Sequence, residues 1–286
     1  MQRIIDTHIH IWDIERVEYP WLKGDTSILN RTWRIDEIEN DRKEAGVTAG
    51  ILVQASGNME DTHLMLETAY KTDWIKGVVA WLPLMDIEVM VDQLELWLLK
   101  EKCFKGVRHQ IHDEQDPKWL LQPDVIDTLK ILAVNNIPYD IVGILPAHIE
   151  TVIAVSEKIP ELKMVFDHLN WPPIPAREKF GKWGELISEA AKNKNFYAKI
   201  SGLGTASGNF ENRAADDIKP YVEFALQHFG VERCFCGGDW PVSMLANNYI
   251  KTWQITKDIL NDLLNDEEKD KVLFSNANNF YKLGLS

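Results

Sequence analysis

Two histidines separated by one residue lie near the start of the chain, in Asp6-Thr7-His8-Ile9-His10. Alternate residues of a strand point to the same side, so a strand here would present His8 and His10 together, with Asp6 below them. Two imidazoles on one face suit a metal ion or a polarised carbonyl oxygen. The spacing alone is weak evidence, because two hydrogen-bonded histidines near a surface give the same pattern.

Three further groups with useful chemistry follow short apolar runs: Arg108, His168 and Asp239. A guanidinium suits a carboxylate or an oxyanion, although an isolated arginine more often forms a surface ion pair. A histidine at the end of an apolar run needs a polar partner if it is buried. The carboxylate of Asp239 follows two glycines and is placed either to activate water or to cap a helix.

Two other runs end in polar residues whose direction the sequence leaves open. In Tyr139-Asp140 only one side chain can share a face with the other strand-end groups, because successive strand residues alternate. Tyr139 would then bind substrate directly, or Asp140 would support the residues that do. Lys199 and Ser201 share a face at the end of another run.

The elements that must position these groups follow from a recurring alternation of short β-branched runs and amphipathic stretches. Such an alternation predicts a parallel sheet covered by helices, and eight units in 286 residues predict an α/β fold, the (β/α)8 TIM barrel. An open doubly wound sheet is the main competitor, but no G-x-G-x-x-G follows the first strand. The eight predicted strands are Arg3–His10, Ala49–Ala55, Ile75–Leu82, Phe104–His109, Ile137–Val142, Lys163–His168, Phe196–Ser201 and Arg233–Asp239.

In such a barrel the carboxyl ends of all strands surround one mouth, where active sites are built. The candidate groups therefore converge, although each is a modest signal alone. No linker or repeat divides the chain, so we expect a single domain over residues 1–286. We also expect a lid-like loop at about residues 14–33 and a closing helix at about residues 266–281.

Composition narrows the class of partner. The net charge is -13, from 31 basic and 44 acidic side chains, which disfavours nucleic acid and anionic membrane surfaces. No stretch of about 18 apolar residues predicts a membrane span. The three cysteines, Cys103, Cys234 and Cys236, do not form a disulfide framework, so we expect a cytoplasmic protein.

Taken together, the motifs resemble the amidohydrolase superfamily, in particular its lactone-hydrolysing branch, often called amidohydrolase 2. The resemblance covers nearly the whole chain and implies an amidohydrolase-type barrel that opens sugar lactones, such as fuconolactone or rhamnonolactone. The segments that carry it are Asp6–His10 with Trp12-Asp13, Ala45–Val47, Val53-Gln54, Gly106–Arg108, Asp167–Leu169, Lys199–Leu203 and Gly238–Pro241.

The resemblance also implies roles for individual residues. Asp239, His168 and Arg108 would be catalytic, with Asp239 as the base that activates water. His8, His10, Arg108, Tyr139 and Lys199 would bind substrate, and Trp12, Trp171 and Trp240 would stack on the sugar.

For the cofactor the resemblance leaves two alternatives. His8, His10, His168 and Asp239 hold one divalent ion, zinc or manganese, or the site works without a metal. Binuclear members of the superfamily carry a lysine or glutamate after strand four and a histidine after strand five. This chain has Arg108-His109 and Tyr139-Asp140 at those positions, so the bridging ligand is missing unless His109 or His148 reaches the site.

Two rival functions remain at this stage. The first is a metal-dependent, non-oxidative decarboxylase of an unsaturated or aromatic acid on the same barrel, since relatives of that kind share the histidine and aspartate set. The second is a barrel that binds a sugar acid without turnover. We expect a small-molecule partner, a lactone, and leave a homo-oligomer open.

Overall fold

The computed structural model describes residues 2–207 and 215–286. Its strands form one sheet in sequential order, with every neighbouring pair parallel. The sheet closes on itself because Ile9 pairs in parallel with Trp240 and the amide of Asp239 donates to the carbonyl of His8 at 2.7 Å. The strands are β1 Ile5–Ile9, β2 Ala49–Val53, β3 Ile75–Ala80, β4 Phe104–His109, β5 Tyr139–Ile141, β6 Met164–Phe166, β7 Phe196–Ile200 and β8 Cys234–Cys236.

Helices lie between successive strands and cover the outside of the barrel. Several begin at side chains suited to cap them: Asn58 accepts from the amide of Asp61, and Asn248 accepts from that of Lys251. The helices are α1 Glu39–Ala45, α2 Met59–Lys71, α3 Ile87–Leu96, α4 Pro123–Val134, α5 Pro146–Lys158, α6 Gly181–Ala190, α7 Leu203–Ala206, α8 Ala215–Phe229, α9 Tyr249–Leu263, α10 Asp266–Asp270 and α11 Asn276–Phe280.

The predicted barrel is confirmed, and the alternative of an open doubly wound sheet is wrong. Each observed strand lies within a predicted one, usually shorter by one to three residues at an end. The described part of α8 is Ala215–Phe229, and residues 208–214 before it lie outside the described residues. None of the described helices has the length and apolar character to cross a membrane.

Apolar side chains fill the barrel below the mouth. The layer includes Ile5, Val53 and Val165, and it continues into Phe274 and Phe280 of the C-terminal segment. That segment runs from α10 through a π-helical turn, Lys271–Ser275, into α11, over the stretch for which a closing helix is predicted. The packing of both aromatic rings closes the amino-terminal end of the barrel, so the mouth is the open end.

The segment between β1 and α1 lies over the mouth. Trp12 and Trp33 pair through their backbones at its two ends, and Pro20–Leu22 forms a short 3-10 helix in the middle. Trp21 and Leu29 of this segment reach the cavity at the mouth. The single-domain organisation and the lid behaviour of residues 14–33 stay predictions.

Candidate active site

Three imidazoles meet at the floor of the mouth. His8 lies near the end of β1, and His10 is the first residue after that strand. Their Nε2 atoms are 3.0 Å apart. The ring of His168, which follows β6, lies 4.4 Å from that of His8 between centroids. All three are almost fully buried.

Burial lowers the pKa of each of these histidines. Desolvation is the main cause for His8 and for His168, and desolvation together with the Arg108 charge lowers the pKa of His10 to about 3. Neutral His10 must donate through Nδ1, because that atom lies 2.7 Å from the carbonyl oxygen of Val53. Its Nε2 therefore offers a lone pair to the cavity.

Asp239 follows β8 and faces all three rings. Its Oδ1 lies 3.8 Å from Nε2 of His8, 3.7 Å from Nε2 of His10 and 3.8 Å from Nε2 of His168. These distances are too long for direct hydrogen bonds, so the carboxylate keeps its accepting capacity for a ligand or a water. Burial raises the pKa of Asp239.

Arg108, at the end of β4, brings a fixed positive charge to the same floor. Its Nε donates to Oε1 of Gln54 at 3.0 Å, and its Nη2 donates to the carbonyl of Gln54. Its Nη1 lies 3.2 Å from Oδ2 of Asp167 and 3.3 Å from Nε2 of His8. The guanidinium is therefore rigidly held while one edge still lines the cavity.

A buried ion network supports the floor from below. Nζ of Lys199 lies 2.7 Å from Asp140 and 2.7 Å from Asp167, and all three side chains are fully buried. Burial opposes the charge on Asp167, but Lys199 and His8 hold its pKa well below the usual range. Lys199 also lies 3.3 Å from Nδ1 of His8, so the network fixes the ring that faces Asp239.

The cavity above the floor measures about 390 Å³. Its walls are mostly apolar, and the indole N–H groups of Trp12 and Trp21 donate to backbone carbonyls of the lid-like segment and of the loop after β2. Arg108, Gln110 and His112 supply polar atoms. The complete lining is His10, Trp12, Trp21, Leu29, Ala55, Arg108, Gln110, His112, Val142, Ile144, His168, Trp171, Asp239 and Val242.

Four of the predicted substrate-binding residues do not line this cavity: His8, Tyr139, Lys199 and Trp240. Tyr139 pairs in register with Val107 and Met164 and packs under the helices, so Asp140 is the residue that faces inward. Lys199 is buried beneath the floor in its ion pairs. Trp240 packs edge-on against Trp33 at 5.4 Å, behind the cavity wall. In this structure Tyr139, Lys199 and Trp240 do not reach the cavity, and their contact with substrate stays a prediction.

The placement of Asp6 also differs from strict alternation. The register between β1 and β2 shifts between Asp6 and Ile9, which turns His8 inward and leaves Asp6 facing α9. Oδ2 of Asp6 accepts from the Tyr249 hydroxyl at 2.6 Å, and Oδ1 accepts from the amide of Gly238 at 2.7 Å. Asp6 thus holds the end of β8 against β1 and is not below the imidazoles.

Three of the four predicted metal ligands are placed so that together they could hold a single divalent ion. His8, His10 and Asp239 each bring a ligand atom within 4.8 Å of the others, and neutral imidazoles with a carboxylate are usual zinc ligands. His168 is not part of that group. His109 binds Glu114 at 2.7 Å and His148 accepts from two amides at the start of α5, so neither supplies a bridging ligand.

Strained backbone lies beside the floor. Four consecutive residues, His168 to Trp171, have φ between 51° and 58°, a single left-handed turn that costs about 1–2 kcal/mol per residue. Asp239 has φ of 55° as well. Strain of this kind persists where the surrounding structure enforces it, and it clusters at functional sites.

Sequence reasoning missed two residues that shape the floor. Asp167 and Gln54 stand in the motifs that carry the resemblance, but no role was assigned to them. Asp167 precedes His168 at a strand end, so its position was a usable signal. Gln54 gave none, because a neutral amide after a strand does not indicate chemistry by itself.

Comparison with known proteins agrees with this geometry. The sequence model of the family described as Amidohydrolase matches residues 5–283. A protein of Burkholderia ambifaria named L-fucono-1,5-lactonase is 27% identical over 282 residues, which cover 98% of this chain and 95% of that protein.

Solved structures share the fold. An amidohydrolase from Burkholderia multivorans with bound zinc superimposes with a TM-score of 0.88 at 26% identity, covering 98% of this chain and 99% of that one. A 2,6-dihydroxybenzoate decarboxylase from Rhizobium covers both chains completely with a TM-score of 0.68, but at 15% identity this likeness concerns the fold alone.

Proposed function

The chain belongs to the amidohydrolase family, and from this premise we propose that it hydrolyses a sugar lactone of the aldonolactone class. One observation supports this most: a buried carboxylate faces three neutral imidazoles and a fixed guanidinium across one small cavity. A base opposite a cluster of hydrogen-bonding and cationic groups suits water attack on a carbonyl. The lactonase name of the Burkholderia ambifaria relative supports the same substrate class.

In the proposed mechanism the lactone carbonyl lies between Arg108 and the imidazoles. Asp239 takes a proton from water as its oxygen attacks the carbonyl carbon, and negative charge develops on the carbonyl oxygen. Arg108 and His168 stabilise that charge. The ring C–O bond then breaks, and Asp239 returns its proton to the leaving alkoxide, which releases the open hydroxy acid.

A divalent ion, when bound by His8, His10 and Asp239, would supply Lewis-acid stabilisation of the carbonyl oxygen. The chain's own groups have the same roles with or without it. Arg108 orients the carbonyl, and the burial of the site limits access of bulk water. Lys199 and Asp167 hold His8 in place from below.

The test is a pH-indicator assay of acid release on aldono-1,4- and 1,5-lactones, L-fucono-1,5-lactone included. The protein is assayed as purified, after chelation, and after addition of zinc or manganese. We expect hydrolysis of at least one sugar lactone, with most of the rate lost in Arg108→Met. Arg233→Met, on the opposite end of the barrel, is the matched control and should keep the rate if it folds.

If no lactone is hydrolysed in any metal state, the proposal is contradicted. Release of carbon dioxide from an unsaturated or aromatic acid would then favour the decarboxylase. Binding of a sugar acid without any product would favour the non-catalytic barrel.

A further inference from the structure

A second cavity of about 290 Å³ adjoins the proposed catalytic cavity. The two share Ile144 and Trp171 as walls. Both side chains are partly exposed, 40% for Ile144 and 38% for Trp171, and they lie where the two cavities adjoin. Small-molecule sites usually measure about 300–1,000 Å³, and the two cavities together reach the middle of that range.

Flat apolar surfaces line most of the second cavity. Trp171, Pro172, Pro173, Phe180 and Trp183 contribute rings to its walls. The indole N–H of Trp183 donates to the carbonyl of Leu169 at 2.8 Å, so this ring offers only carbon to a ligand. Such surfaces suit the flat faces of a ring, which stack on aromatic side chains.

One polar side chain lies in this wall without a partner. Asn170 is 1% exposed, and neither its Nδ2 nor its Oδ1 has a hydrogen bond within the described part of the chain. An unpaired buried amide costs about 1–3 kcal/mol, so its retention calls for an explanation. The left-handed turn from His168 to Trp171 holds it in the wall of the second cavity, next to the shared residue Trp171.

The Asn170 amide occupies space that is free only because residue 143 is a glycine and has no Cβ atom. A Cβ atom at position 143 would lie 2.6 Å from Oδ1 of Asn170 and 2.6 Å from Cβ of His148. Any other residue there would displace the amide, so the unpaired group is built into the fold from both sides. Asn170 is one of the residues that line the second cavity, so its amide is the unpaired polar group beside a ligand bound there.

We propose that the second cavity binds a second sugar ring, so the substrate is a glycosylated aldonolactone. This inference rests on the proposed lactonase function and names its substrate more closely. A hydroxyl both donates and accepts, which matches the two free functions of the Asn170 amide. An alkyl or aryl substituent would stack on the same walls but leave that amide unpaired.

The test compares lactones with the same first ring. D-glucono-1,5-lactone is matched with cellobiono- and lactobiono-1,5-lactone, which carry a second ring, and L-fucono-1,5-lactone reports lactonase activity itself. We expect kcat/KM, corrected for spontaneous opening, to be at least about tenfold higher for the two-ring lactones, mainly through KM. Equal or lower values, with L-fucono-1,5-lactone hydrolysed, overturn the inference and leave the lactonase function standing.

Two variants test the site through the ratio of two-ring to one-ring kcat/KM, which a general folding defect leaves unchanged. Asn170→Asp keeps the shape but removes the donor, and Leu145→Trp adds bulk beside the second cavity. We expect each to lower the ratio toward one. Leu96→Trp, at an exposed position on α3, is the matched control and should keep it. An unchanged ratio in both test variants overturns the assignment.

Calorimetry of the open acids separates the two failures. We expect lactobionate to bind at least about tenfold more tightly than gluconate. If that holds while no lactone is hydrolysed, the lactonase proposal fails and the second-ring site stands. If neither acid shows this preference and no lactone is hydrolysed, both fail.

Discussion

At the scale of single residues, the protonation states at the floor decide what the site can do. Burial lowers the pKa of His8, His10 and His168, so all three are neutral near pH 7 and can accept or donate hydrogen bonds. Burial raises the pKa of Asp239. A base with a raised pKa takes up a proton more readily, so the site pairs a strengthened base with neutral imidazoles.

The first prediction concerns Asp239. Asp239→Asn should lower kcat by about 10²–10⁴-fold, because the amide cannot take a proton from water. In the wild type, kcat/KM should fall as pH decreases through a midpoint above the ordinary carboxyl value, since the base works only when deprotonated and its pKa is raised. Stopped-flow assays from pH 4 to 9 measure both effects. Asp92→Asn, on the exposed side of α3, is the control. Retained turnover in Asp239→Asn would show that Asp239 is not the base.

The second prediction concerns the three-residue ligand group. The wild-type protein is dialysed first against a zinc solution and then against zinc-free buffer. It should retain about one zinc ion per chain, because ligand atoms of His8, His10 and Asp239 lie close together. His10→Ala should lose that zinc, whereas His228→Ala on the surface of α8 should keep it. Metal analysis by mass spectrometry measures the content directly. A wild-type protein that retains no zinc would argue against a metal at this position.

At the scale of elements, close approaches between strand ends and loops set the geometry of the floor. Gly237 lies where a Cβ would meet Cβ of His8 at 2.6 Å, which explains the glycine at the end of β8. Gly202, after β7, has φ of +59°, and a Cβ there would lie 2.4 Å from Nδ1 of His168. These glycines allow the loops to support the catalytic side chains directly.

The third prediction follows from Gly202. Gly202→Ala should lower kcat by about 10²-fold, because the added methyl displaces His168 and approaches Oδ2 of Asp239, at 2.9 Å. Gly230→Ala is a matched control, with φ of +76° and no atom within 4 Å of its Cβ. It carries similar backbone strain and should lose stability but not kcat. Equal kcat losses in the two variants would show that strain alone is responsible.

At the scale of the whole molecule, the C-terminal segment is tied to the mouth through the barrel interior. The Tyr281 hydroxyl donates to Oδ2 of Asp140 at 2.7 Å, and the same oxygen accepts from Lys199. Lys199 also forms an ion pair with Asp167, and Asp167 forms a second ion pair with Arg108. Burial raises the pKa of Asp140 to about 6, so this carboxylate depends on its partners for its charge.

The fourth prediction tests this interior network. Lys199→Met should lower the free energy of unfolding by about 3–5 kcal/mol, because two buried carboxylates lose their shared cation. Urea unfolding followed by circular dichroism measures it. The double variant Lys199→Met with Asp140→Asn should recover part of the loss, since one of the uncompensated charges is removed. No recovery would mean that the lost packing of the lysine chain is the main effect.

The sequence determined the architecture because the alternation of apolar runs is a local property. The eight strands, their parallel order and the presence of His8, His10, Arg108, His168 and Asp239 at one mouth follow from where each run ends. For these five residues strand-end position was sufficient, because every parallel strand of a barrel ends at the same rim.

Only the tertiary structure decided which neighbours face inward and what surrounds them. A one-residue choice of register separates Tyr139 from Asp140, and a bulge in β1 separates Asp6 from His8. The sequence predicts Lys199 as a substrate-binding residue. In the structure its ammonium group pairs with two buried carboxylates that are distant in sequence, Asp140 and Asp167. The position of the unpaired Asn170 amide depends on a left-handed turn and on a glycine 27 positions earlier in the chain. Such features depend on contacts between distant segments, which no local pattern encodes.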